Sequence, residues 1–221
     1  MSDDFNVENI DVHIKPKKKS EVKDIIIAWL GISLCFALVL GGYNLIRINN
    51  LVNFSIINFL ILLVTSLVVT GTAFILHELA HKYSAIYFGA KAQFVKWNGG
   101  LMFAIVMSFL LGFVFVAPGA VYVFGKKLNV RENGIVSVVG PVSNVILASL
   151  FYLMFVIFNP QSTIVLMILS LGVLINLWIA FFNLLPIGPL DGKAVFIWNP
   201  FIWIIMMIIS FGGYLLFSGI I

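Results

Sequence analysis

Residues 112–125, GFVFVAPGAVYVFG, decide how this chain is arranged. They close an apolar stretch, about 100 to 124, that is long enough to cross a bilayer, for which about 20 residues suffice. Pro118-Gly119 breaks that stretch between two β-branched and aromatic pieces, FVFV and AVYVF. The pattern reads as a membrane-inserted hairpin or a re-entrant segment as well as a full crossing.

Five further apolar runs flank it, at about 25 to 46, 55 to 88, 134 to 158, 163 to 188 and 198 to 220, each long enough to span. The 221 residues are 62% hydrophobic and only 10% charged, far from the balance of a water-soluble domain. The predicted fold class is therefore an all-α polytopic membrane protein. It has five to six transmembrane helices and a hairpin or re-entrant segment near 100–124. Residues 1–24 read as a charged cytosolic extension, containing His13 as a solvated side chain, and 25–221 as the transmembrane domain. A full-length span follows the charged leader without a small-residue cleavage pattern, so the first span is expected to anchor the chain rather than be removed. Cys35 is the only cysteine, which excludes an internal disulfide and thiolate-rich zinc sites. The net charge of +4 resides in short segments beside the apolar runs, where it sets membrane orientation, and no nucleic-acid partner is expected.

Lysines choose between the two arrangements. Lys15, Lys17, Lys18, Lys19 and Lys23 place the N-terminus in the cytosol, and the second span then returns Lys82, Lys91 and Lys96 to that side. A full crossing by the ambiguous segment would put Lys126, Lys127 and Arg131 outside; turning back keeps them inside. Turning back leaves Arg47 as the sole exception and is the preferred topology.

Acidic residues point to chemistry. Six of the nine precede the first apolar run, leaving Glu78, Glu132 and Asp191. Glu132 lies in a polar connection, NVRENG. The other two lie at membrane depth, where an ionisable group costs about 2.5–3.5 kcal/mol on insertion scales and is kept where it pairs, binds an ion or works. Glu78 belongs to FILHELAHKYS, residues 74–84. His77 and His81 are four apart on one helical face and can present two nitrogens to one ion. Glu78 is rotated by about 100° from His77, as a carboxylate that takes a proton from water and returns it. A catalytic zinc takes three protein ligands and leaves one position open. The membrane region holds no other histidine and no acidic residue besides Glu78 and Asp191, so Asp191 is the candidate third ligand. Parity agrees, because the preferred topology puts two full crossings between HELAH and Asp191 and returns both to the same side.

HELAH in one span and NLLPIGPLDG ending another, in this order, resemble the site-2 protease family of intramembrane zinc metalloproteases. The resemblance covers roughly residues 70 to 195 and rests on His77, Glu78, His81, Asn183, Pro186, Leu190, Asp191 and Gly192. It implies that His77, His81 and Asp191 bind Zn2+ and that Glu78 activates water. A further family feature, Gly-Pro-x-x-Asn, is present as GPVSN at Gly140, Pro141 and Asn144. Asn144 reads either as a substrate-binding or oxyanion donor or as an interhelical polar contact; Asn176 and Asn183 read as packing or as support for the aspartate loop. No PDZ or CBS regulatory domain of the kind better-known members carry is expected from these residues, which leaves the mode of substrate gating open.

The expected function is hydrolysis of a peptide bond in or near a transmembrane segment of a membrane-protein substrate. The setting is a multi-pass protein of the cell membrane, in contact with lipid. The alternative is a membrane metal or proton transporter using the same His and Asp groups.

Overall fold

The computed structural model describes residues 20–115 and 118–219. Among the described residues, five helices are long and apolar enough to cross a membrane: α1 (Glu21–Leu40), α3 (Ile56–Tyr87), α5 (Val130–Phe158), α6 (Thr163–Asn183) and the composite Pro200–Ser218. A short α2 (Ile48–Val52) lies between the first two. The chain is an all-α polytopic protein, and its long helices leave many large apolar side chains exposed, such as Ile57, Val64, Ile146, Leu153 and Ile208, as lipid-facing helices require.

Helix ends sit where the polar residues allow. Ser20 caps α1, and Glu21 and Asp24 occupy its first turn, where acidic groups complement the helix dipole. The helix thus starts before the apolar run at 25, recruiting acidic residues that read by sequence as part of the extension; residues 1–19 of that extension, with His13, lie outside the described residues. Asn129 and Glu132 form a reciprocal capping box that starts α5 inside the polar NVRENG connection. α6 stops at Asn183, short of the apolar run's end, because Pro186 and the left-handed Gly188 (φ 55°) follow. Cys35 is fully buried, in packing.

The ambiguous segment turns back. Asn98–Leu111 forms α4, of 14 residues. At about 1.5 Å per residue it is about 21 Å long, short of the roughly 30 Å hydrocarbon thickness. It ends at Gly112 in the left-handed conformation (φ 65°), and the chain returns as strand β2 (Gly119–Phe124). β2 pairs antiparallel with β1 (Lys91–Lys96), with Lys91 opposite Phe124 and Lys96 opposite Gly119, so the chain leaves and returns at one level. Among the described residues, β2 takes β1 as its partner rather than the FVFV piece. Phe113 and Phe115 instead join an aromatic cluster with Trp178 and Phe182, Val114 is buried, and the Val114 carbonyl accepts from Trp178 Nε1 at 3.4 Å.

Glu21 joins this small sheet to the helices. Its carboxylate pairs with Lys82 of α3 at 2.6 Å and accepts the backbone N–H of Phe94 in β1 at 3.0 Å. β1 is thereby held against α1 and α3, and Val121 of β2 packs against the core those helices share.

Candidate metal centre

α3 has 32 residues, about 48 Å at helical rise, and carries His77 and His81 near its C-terminal end. Both rings are buried and meet edge to face, with centroids 4.6 Å apart. Neutral acceptors on α5 orient each one. Nδ1 of His77 lies 2.6 Å from Oδ1 of Asn144, and Nδ1 of His81 lies 2.6 Å from the carbonyl oxygen of Val136. A carbonyl oxygen only accepts, so Nδ1 of each ring carries the proton and each Nε2 keeps its lone pair. The two Nε2 atoms stand 2.9 Å apart.

Asp191 completes the group. Its Oδ2 lies 3.3 Å from Nε2 of His77 and 3.1 Å from Nε2 of His81, and all three ligand atoms fall within 4.8 Å of one another. Tetrahedral zinc ligands at about 2.0–2.1 Å from the ion stand roughly 3.3 Å apart, so these separations suit a single ion. Asp191 reaches this point because α7 (Asp191–Trp198) begins hard against the end of α6. A Cβ at Gly192 would overlap the Leu184 carbonyl and lie 2.7 Å from that of Leu185, so only glycine allows the approach. Leu184 itself is fully buried and its carbonyl accepts from Trp203 Nε1 at 2.7 Å, which fixes the other side of the contact.

Space for an ion is kept by a second glycine. A Cβ at Gly140 would collide with Nε2 of His81 and lie 2.7 Å from Nε2 of His77, in the volume the lone pairs face. Val136, Gly140 and Asn144 follow at four-residue intervals and so form one face of α5. That face orients both rings and leaves room between them. The spacing was available in the sequence; what it served was not.

Asn144 is fully buried and faces His77. Its Nδ2 donates to the Ala73 carbonyl and to Oδ1 of Asn176, each at 3.0 Å, and its Oδ1 faces His77. Both N–H groups are used within the bundle, as in an interhelical polar contact. Asn176 in turn donates to the Gly172 carbonyl at 2.8 Å and supports Asn144. Asn183 lines the cavity described next, with its Nδ2 given to the Ile179 carbonyl at 3.0 Å.

Glu78 faces a cavity of about 640 Å³ that also holds His77, His81 and Asp191. Strand β2 from Gly119 to Val123 forms one wall, α5 another through Asn133, Val136 and Ser137, and the segment from Gly188 to Ile197 a third. Two bare imidazole nitrogens, one carboxylate oxygen and a space that a methyl group would fill make a donor set that fits Zn2+.

No protein-family model matches the chain, and no solved structure matches it. Two curated proteins do. "Putative zinc metalloprotease MJ0611" from Methanocaldococcus jannaschii is 44% identical over 154 residues, covering 70% of this chain and 78% of that protein. "Putative zinc metalloprotease YwhC" from Bacillus subtilis is 32% identical over 150 residues, covering 60% of this chain and 66% of that protein. A likeness of that extent, together with a His-His-Asp group shaped for zinc, places the chain in the zinc metalloprotease family.

Proposed function

We propose that this metalloprotease is an intramembrane enzyme of the site-2 type, which hydrolyses a peptide bond in or near a transmembrane segment of another membrane protein. The observation that carries this reading is where the donor set lies: near one end of a 32-residue apolar helix, assembled from α3 and α7 of a membrane bundle, with Glu78 facing the same cavity. His77, His81 and Asp191 would hold the ion. Zinc, when bound, supplies a Lewis acid that makes water acidic near neutral pH and polarises a carbonyl. Glu78 takes the proton of the attacking water and delivers it to the departing amide nitrogen. The Asn144 and Val136 oxygens keep both imidazoles in the tautomer that ligates.

A helical substrate hides its scissile carbonyl within its own hydrogen bonds and has to unwind before attack. Strand β2 supports such a step, since β1 pairs with one of its edges and its residues line the cavity beside the donor set. An unwound peptide would add to β2 as a further strand, exchanging lost helical hydrogen bonds for sheet ones. Lys82, Lys91, Lys96, Lys126, Lys127, Arg131 and Lys193 all belong to segments at the level of the site, which supports a cytosolic cavity mouth and N-terminus in the cell membrane.

The test compares wild type with Glu78→Gln, purified in detergent, on a membrane-protein substrate, with zinc measured in both. Zinc content should match while cleavage falls by about 10²–10⁴-fold. Undiminished cleavage by the Glu78→Gln protein would refute the mechanism.

A further inference from the structure

Lys193 differs from its basic neighbours. Lys82 is tied to Glu21 at 2.6 Å and Lys126 to Glu132 at 2.8 Å. Lys193 is exposed, is the one lysine lining the cavity, and makes no ion pair or side-chain hydrogen bond with any described residue. It stands in the first turn of α7, just past Asp191. Helix stability does not account for it, because a cation there faces the positive end of the helix dipole. Orientation in the membrane accounts for a lysine on this side but not for one that lines the cavity.

Charge balance gives the position a meaning. Asp191 and Glu78 are the acidic side chains lining the cavity, and Lys193 is the one lysine there, without an ion-pair partner among the described residues. Ala194, Ile197 and Val121 line the same space beside polar Asn133, Ser137 and Asn183, and an ion pair made by the exposed Lys193 there is partly screened by water and salt. Across the cavity runs β2.

We propose that Lys193 is a specificity-determining residue that binds an acidic side chain in the substrate segment flanking the scissile bond. The inference rests on the protease reading above and adds a substrate class to it: membrane segments whose flank on the cavity side carries Asp or Glu. The usual lysine- and arginine-rich flank would be rejected by like charge.

Binding tests this without depending on turnover. Zinc-loaded Glu78→Gln protein in detergent is titrated with a fluorescent transmembrane peptide whose flank carries Glu, Gln or Lys. The Glu peptide should bind about tenfold more tightly than the Gln peptide and the Lys peptide more weakly than either, with the spread narrowing at high salt. The preference should persist in Lys193→Arg, vanish in Lys193→Gln and invert in Lys193→Glu, with zinc content equal throughout. Binding blind to flank charge, a preference that survives Lys193→Gln, or no binding by any peptide would overturn the inference. The protease reading fails separately, if enzyme retaining Glu78 cuts none of the peptides.

Discussion

Helix α3 carries two polar patches, and they are built on opposite plans. The first lies mid-helix, where Thr70 donates to the Ser66 carbonyl at 2.7 Å and meets Ser33 of α1, itself bonded to the Trp29 carbonyl at 2.8 Å. Its hydroxyls turn back on backbone within one turn of their own helix, and Ser66 Oγ is buried without a partner among the described residues. The second patch is His77 and His81. There the inner nitrogens are bonded to another helix, and the outer nitrogens face each other and a carboxylate brought from over a hundred residues away. A patch whose bonds run to its own helices and to one neighbouring hydroxyl holds two helices together. A patch whose unused lone pairs converge from separate elements is organised around something that is not protein.

That difference is open to attack by substitution. Changing His81 to Ala or Asp191 to Asn removes one of three donors and should abolish both zinc binding and cleavage, measured by metal analysis and by a membrane-substrate assay. Gly140→Ala should come close behind with no donor lost, because its methyl group occupies the space between the Nε2 atoms; normal zinc content in that protein would mean the ion sits elsewhere. Asn144→Ala leaves all three donors but frees the His77 ring, and zinc affinity or activity should drop about 10–100-fold. Thr70→Val, in the other patch, should lower thermal stability by about 0.6 kcal/mol, at most about 2, and leave zinc content unaltered. If Thr70→Val released zinc, or Asn144→Ala did not weaken it, the distinction between the patches would be lost.

Much of the site is legible in the sequence because its chemistry is expensive in lipid. His77, Glu78, His81 and Asp191 stand out against an apolar background, and the spacing of the histidines fixes their shared face without knowledge of the fold. The spans are legible for the same reason, since length and hydropathy suffice. The pairing of β2 was not, because its partner KAQFVK is a short segment carrying two lysines and the adjacent FVFV has the stronger strand character; Trp178 and Phe182 draw Phe113 and Phe115 into the bundle instead. Helix α7 was hidden within a loop and an apolar run, being only 8 residues long. The roles of Gly140, Gly192 and Asn144 depend on which helices touch, and local pattern carries no record of that.

The account turns on three side chains sharing one zinc ion, and zinc X-ray absorption on the purified protein tests this most directly. One zinc per chain, with imidazole nitrogens at about 2.0–2.1 Å and oxygen donors filling the remaining positions, is the predicted result, along with loss of the metal signal in the His81→Ala protein. A protein that binds no zinc, or one that keeps the same zinc spectrum without His81, would contradict it.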